Sequence, residues 1–164
     1  MTTRTAAVLT VSDSSARGER ADISGPRTAD LLRQNGFDVT HQEIVPDEQA
    51  AIESALVRLS GQAQLVVTTG GTGIAERDVT PEATRAVCSR LIEGISERMR
   101  AAGVEQTPFA MLSRGVCGLR GCSIIVNLPG SPSGAVESLR AVLHILPHAI
   151  DLLAGKTGHD DPHK

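Results

Sequence analysis

The chain contains no Trp and no Tyr, and Phe37 and Phe109 are the only aromatic side chains among its 164 residues. That scarcity removes the stacking platforms on which single-strand and RRM-type readers lay bases, and the ring walls common in sugar sites. Any flat ring bound here has to be held another way. Lysine is almost as scarce. Of sixteen basic residues fourteen are Arg, and the two lysines, Lys156 and Lys164, both lie near the C-terminus. A GxxxxGK[ST] phosphate loop is therefore absent, and a Schiff-base lysine in the core is not expected. A net charge of −3 and a pI near 5.9 leave no basic footprint for a nucleic-acid backbone, although a small anion could still be bound locally. The three cysteines, Cys88, Cys117 and Cys122, form neither an even disulfide set nor a CxxC pair, and are expected to be buried free thiols. No apolar run is long enough to span a bilayer and no cleavage-site pattern follows Ala6 to Val11, so a cytoplasmic protein with no membrane partner is expected.

What the chain has is aliphatic. With 40% apolar residues it can build a core of Val, Leu, Ile and Ala, and its length suits one domain, expected over 1–154 with a flexible polar tail over 155–164. Thr5 to Ser12, Leu65 to Thr69 and Ser123 to Leu128 are near-continuous β-formers, as parallel strands buried on both faces require. Phe37 to Val45 is more polar and suits an edge. Helical patterns lie between them. One runs from Pro26 to Gln34, a second from Asp47 to Leu59, and a third from an N-cap at Thr80 with Pro81 in the first turn toward Leu91. Ile95 to Ala102 forms another, Gly115 to Gly121 reads as a glycine-rich turn or short hairpin, and a long last helix from Pro132 to Leu153 should be kinked at Pro147. The alternation predicts an α/β fold: a three-layer, doubly wound, mostly parallel sheet with helices on both faces.

In such a sheet ligands bind beyond the carboxyl ends of the strands. The loops there are small, polar or acidic: Ser12-Asp13-Ser14-Ser15, Pro46-Asp47, Gly70-Gly71-Thr72-Gly73 and Pro129-Gly130-Ser131-Pro132. All four should meet on one rim. In Thr68-Thr69-Gly70-Gly71-Thr72-Gly73, three glycines allow close approach of backbone N–H groups to an anion, and the threonines add neutral donors, so phosphate can be held without lysine. A tight turn is the plainer alternative. Asp78 beside that loop is a candidate Mg²⁺ ligand or a support for the following helix, and Asp47 has the same ambiguity with helix capping. Arg114 could pair bidentately with phosphate or simply be solvated, and Ser131 could cap the last helix while exposing its N–H groups. His144, His148 and Asp151 have zinc-like spacing, but they fall on the polar face of the last helix, and a metal role is not assigned to them.

Taken together, Val45-Pro46-Asp47-Glu48-Gln49, the Thr68 to Gly73 loop with Arg77-Asp78-Val79-Thr80-Pro81-Glu82-Ala83, Leu112-Ser113-Arg114 and Asn127 to Pro132 resemble the motifs of molybdopterin adenylyltransferases of the Mog type. They occur in family order, and the resemblance covers nearly the whole chain through about Leu153. The GGTG and LPG elements are shared with the wider superfamily of MoaB-like proteins, gephyrin G domains and CinA-like proteins, whereas the PDEQ and RDVTPEA strings carry both acidic residues of the adenylylating members. The resemblance implies transfer of AMP from Mg–ATP to the terminal phosphate of molybdopterin with release of pyrophosphate. It implies that Asp47 and Asp78 handle Mg²⁺–ATP, and that Ser12, Asp13, Thr69 and Gly70 to Gly73 belong to the substrate and phosphate region. Ser113, Arg114, Asn127, Pro129, Gly130 and Ser131 would hold the pterin or its phosphate. A homotrimer and a downstream molybdate-insertion protein of the Moe type are further implications. A MoaB-like, non-catalytic pterin-binding or scaffold protein is the alternative.

Overall fold

The computed structural model describes residues 3–156. Six strands form one sheet: β1 (Arg4–Val11), β2 (Phe37–Val45), β3 (Leu65–Thr69), β4 (Arg90–Leu91), β5 (Cys117–Arg120) and β6 (Ser123–Leu128), in the order β2-β1-β3-β6-β5-β4. The first four in that order run parallel, while β5 pairs antiparallel with β6 and with β4. The expected mostly parallel α/β sheet is thus present, with two short antiparallel strands on one side. Gly115 to Gly121 was legible as a hairpin, but β4 was not. Residues expected to continue a helix to Leu91 leave it at Val87, because Cys88 is extended (ψ 141°) and the amides of Ser89 and Ile92 bond to the carbonyls of Leu119 and Cys117, both at 2.8 Å.

The near-continuous apolar runs are explained by burial on two faces. Along β1, Ala6 and Val8 face one side with Leu65, Val67, Ile124 and Val126, under α2 (Ser24–Gln34), α5 (Glu93–Val104), α6 (Pro132–Val142) and α7 (Leu146–Leu153). Ala7, Leu9 and Val11 face the other with Val66 and Ile125, under α3 (Gln49–Ser60) and α4 (Thr80–Val87). Edge strand β2 alternates between covered and exposed positions, as its polar composition predicts.

Several local expectations need correction. The last helix is broken rather than kinked: α6 ends at Val142 and α7 starts at Leu146, with Pro147 in its first turn, where a missing N–H costs nothing. α3 begins at Gln49, so Asp47 is not its cap; Glu48 occupies that position without a side-chain bond. α4 has Val79 in the capping position, and the Thr80 hydroxyl donates instead to the Gly70 carbonyl at 2.9 Å. Two elements went unforeseen, the single turn α1 (Asp13–Ala16) and the 3-10 helix Pro108–Leu112. Gly155 and Lys156 still bond back to α7 through their amides; the rest of the expected tail, 157–164, lies outside the described residues.

The cysteines also divide. Cys117 is buried and Cys88 half-buried, with burial pushing their thiols up to about 12 and about 11, but Cys122 is exposed in the turn between β5 and β6. All three are free, so the expectation of burial fails for Cys122, which the hairpin carries outside the core. In the native protein a thiol reagent should therefore modify Cys122 quickly, with the other two following only on unfolding. Equal rates for all three, read by mass spectrometry, would contradict this placement.

Candidate functional site

The chain moves outward from β1 to β2 on one side and then to β3 on the other, so the switch point lies between the carboxyl ends of β1 and β3. The loops after β1, β2, β3 and β6 meet there. Ser12, Asp13, Asp47, Thr69, Gly70, Gly71, Asp78, Gly130 and Ser131 line one cavity of about 470 Å3. A second cavity of about 520 Å3 adjoins it, lined by Thr72, Gly73, Ser113, Asn127 and Pro129, with Met99, Phe109, Ala110 and Leu112 from α5 and the 3-10 helix. Gly71, Asp78, Gly130 and Ser131 border both. The first cavity is polar and charged. The second is largely apolar, and Phe109, 76% exposed, gives it an aromatic ring that composition alone did not place.

At the polar cavity Asp13 and Asp47 clamp one another: the Asp13 amide donates to Asp47 Oδ2 at 3.0 Å and the Asp47 amide to Asp13 Oδ1 at 2.8 Å. Each carboxylate thereby fixes the other's loop. Burial raises the Asp47 carboxyl above its usual value, the Asp13 amide opposes that shift, and the charges of Asp13 and Asp78 add to it while Arg77 counters it. A half-buried Asp47 carboxyl, with the negative charges of Asp13 and Asp78 acting on it, suits a cation. Among the described residues no group of three such side chains is arranged to hold a metal by itself, but Mg²⁺ is commonly held by one or two carboxylates together with substrate phosphates. The donor set fits that case. Asp78 makes no side-chain bond to the start of α4; its Oδ2 accepts from the Ala75 amide at 3.0 Å within its own loop.

The glycine loop is shaped from behind. Gly70 and Gly71 adopt positive φ, 93° and 68°, a conformation only glycine takes easily. The carbonyls of four successive residues are then occupied. The Gly70 carbonyl accepts from the Thr80 hydroxyl at 2.9 Å and that of Gly71 from the Thr80 amide at 3.1 Å. The Thr72 carbonyl accepts from the Arg114 amide at 2.8 Å and that of Gly73 from Arg114 Nε at 2.7 Å. In a planar trans peptide the next N–H points opposite to the carbonyl, so the amides of Gly71, Thr72 and Gly73 point away from Thr80 and Arg114, and all three residues line the second cavity. Among the described residues they have no protein acceptor. Successive free amides of this kind can seat an anion.

Three residues expected to touch ligand, Arg114, Asn127 and Thr69, have side chains engaged elsewhere. Arg114 donates through Nε to Gly73, through Nη2 to the Asp78 carbonyl at 2.7 Å, and through both terminal nitrogens to Glu82, whose carboxyl the Arg114 bond holds below its usual value. Its side chain is still 38% exposed, but its nitrogens are taken by these acceptors and it has no free fork for phosphate. Asn127 is 2% exposed; its Oδ1 accepts from the Val116 amide at 3.1 Å and its Nδ2 donates to the hydroxyls of Thr68 and Thr84 at 3.1 and 2.9 Å. Only its backbone remains for the cavity. Thr69 is also buried, bonded through its hydroxyl to Ser24 at 3.0 Å. Ser113 remains at the cavity wall, its Oγ accepting from the Gly115 amide at 3.3 Å. Ser12 caps α1 through Ser15, and Ser131 caps α6 through the Gly134 amide at 3.1 Å, aiming that helix start at the junction of the cavities.

Sequence reasoning missed Asp22, which accepts from Thr10 Oγ1 at 2.6 Å and from the Gly25 amide at 3.1 Å on the floor of the polar cavity. Its place three residues before Gly25, at the entry to α2, was the available signal. Arg20 and Arg77 at that cavity's rim were also missed as a pair, since nothing local distinguishes them from solvated arginines. Asp151 of the zinc-like set is bonded instead to Arg4 at 2.8 Å.

Residues 7–148 match a family described as a probable molybdopterin binding domain. A molybdopterin adenylyltransferase of Helicobacter pylori (strain J99) is 42% identical over 153 residues, spanning 90% of this chain and 86% of that protein. Among solved structures, the molybdopterin biosynthesis enzyme MoaB of Thermus thermophilus is 48% identical with a TM-score of 0.86, over 93% of this chain and 98% of that one. The molybdopterin biosynthesis Mog protein of Mycobacterium ulcerans is 39% identical with a TM-score of 0.88, over 94% and 99%.

Proposed function

Because this chain belongs to the molybdopterin-binding domain family, we propose that it is a molybdopterin adenylyltransferase, joining AMP from Mg–ATP to the terminal phosphate of molybdopterin and releasing pyrophosphate. The observation that carries this reading is the pair of adjoining cavities, one acidic and polar, one largely apolar, which share Gly71, Asp78, Gly130 and Ser131. Two phosphorylated substrates entering from opposite sides would meet with their phosphates at that border. Mg–ATP takes the polar cavity, where Asp47 and Asp78 would hold its metal and Asp13 holds the Asp47 loop. The pterin takes the apolar cavity beside Ser113 and Pro129, its ring against Met99, Leu112 and Phe109.

The terminal phosphate oxygen of molybdopterin attacks the α-phosphorus of ATP; a P–O bond forms, the bond to the β-phosphate oxygen breaks, and pyrophosphate leaves. Such a displacement asks for alignment and charge neutralisation rather than a protein nucleophile. The free amides of Gly71, Thr72 and Gly73 and the start of α6 supply fixed donors, and the bound Mg²⁺ supplies charge. Assembly as a homotrimer and delivery of product to a molybdate-insertion protein of the Moe type belong to the same proposal.

Purified protein given molybdopterin and Mg–ATP should yield adenylylated molybdopterin and pyrophosphate, and omission of Mg²⁺ should stop it. A protein that binds molybdopterin but releases no pyrophosphate would instead be the non-catalytic alternative. The acidic group at the polar cavity favours turnover.

A further inference from the structure

We propose that Arg114 and Thr80 are positioning residues of the transfer site, which act without touching substrate by setting the peptide planes of the glycine loop. The inference deepens the reading above and rests on its assignment of phosphate to that loop. Four consecutive carbonyls, Gly70 to Gly73, are held by these two residues alone, the outer two by their side chains and the inner two by their amides, and the same peptide groups carry at their other ends the amides of Gly71, Thr72, Gly73 and Ile74. If either residue let go, a peptide could turn and present an oxygen to the anion.

Arg114 is itself held for this task. Glu82 on α4 receives its terminal nitrogens, and Arg100 Nη1 donates to the carbonyls on either side of it, Gly115 at 3.0 Å and Ser113 at 3.4 Å. Thr80 stands one turn before Thr84, whose hydroxyl bonds back to the Thr80 carbonyl at 2.9 Å and also receives Asn127. The first turn of α4 is therefore tied both to the glycine loop and to β6. This arrangement also explains an arginine beside a phosphate loop that has no free fork: its charge is paired by Glu82 and its nitrogens are spent on carbonyls.

The two roles open to Arg114 separate in solution. A residue in direct contact with phosphate should be replaced tolerably by lysine, which keeps a point charge, and an uncharged change at Thr80 should matter little. A positioning residue should not tolerate lysine, which cannot bridge carbonyls in a planar fork, and Thr80→Val should act alike. The experiment titrates inorganic pyrophosphate into ¹⁵N-labelled full-length protein and follows the amide signals of Gly71, Thr72, Gly73 and Ile74. In the wild type the first three signals should move. In Thr80→Val, which frees the Gly70 carbonyl, the Gly71 amide should start from a displaced position, and in Arg114→Lys, which frees the Gly73 carbonyl, the Ile74 amide should. In both variants the loop should respond about tenfold more weakly, while Thr80→Ser restores the wild-type response. Wild-type affinity in both Arg114→Lys and Thr80→Val would overturn the positioning role and leave the loop as the phosphate site. Unmoved signals at all three residues in the wild type would overturn the phosphate assignment itself. Should Arg114→Lys fail to fold, the comparison of Thr80→Val with Thr80→Ser decides.

Discussion

Asp47→Asn should lose adenylyl transfer by about 10²–10³-fold, the scale seen when one fixed charge-stabilising group is removed, and yet melt no lower than the wild type. The asparagine oxygen can still accept the Asp13 amide, so the loop is kept while the negative charge is lost. In the metal-free protein that charge is a burden. Asp47 is partly desolvated and faces Asp13 and Asp78, so the folded state binds its proton more tightly than the unfolded chain does. With the folded value raised, the stabilisation from this group is fully present below the ordinary carboxylate range and is lost as pH rises through the folded value. At neutral pH the substitution removes that penalty. Activity runs the other way, because the ionised carboxylate meets the metal: kcat/KM should fall as pH drops through the raised value of Asp47. Thermal melting without Mg²⁺ and a pH profile of pyrophosphate release test both halves. Unchanged turnover in Asp47→Asn would remove this residue from the mechanism.

Gly70→Ala should be strongly damaging for a single added methyl. At φ 93° an alanine is strained, and its Cβ would lie 2.3 Å from the Val11 carbonyl oxygen, a backbone atom at the end of β1 that cannot swing aside. The two costs together come to about 3–5 kcal/mol, or a melting temperature lowered by roughly 10 °C. Gly36 provides the control. Its φ is 84°, but nothing lies within 4 Å of an added Cβ, so Gly36→Ala should pay only the conformational strain, about 1 kcal/mol. Equal effects of the two changes on melting would show that close approach to β1 contributes nothing, and that the loop does not depend on this contact.

The sequence made the buried strands and the converging loops legible because both are local. A strand covered on two faces must be apolar throughout, as Leu65 to Thr69 is, and a loop of small and acidic residues announces itself at each strand end. What it could not give was the use made of side chains that look alike in one dimension. Arg114 and Asn127 carry the donors expected of ligand-binding groups, but their partners, Glu82, Thr68 and Thr84, are separated from them by between 32 and 59 residues. Thr80 has the appearance of a helix cap, and its hydroxyl goes to a carbonyl in another loop. Asp47 likewise sits where a cap is expected and turns to Asp13 instead. In each case a long-range bond outcompeted the local one. The short strand β4 escaped notice because its two residues, Arg90 and Leu91, have no periodicity and are extended only by pairing with β5.

The two borders of the sheet have a further consequence. One is β2, nine residues long, whose exposed side alternates with polar residues and whose Glu43 is held by Arg58 at 2.6 and 2.7 Å; the other is β4, two residues long. A long border guarded by charge and a border too short to template a neighbour both resist the addition of a foreign strand. Copies of this chain therefore have no ready way to join by extending one sheet into the next. Any lasting assembly must be made by side chains meeting across helices and loops, and such contacts can be weakened by mutation while the sheet, and the rim of loops it carries, stays intact.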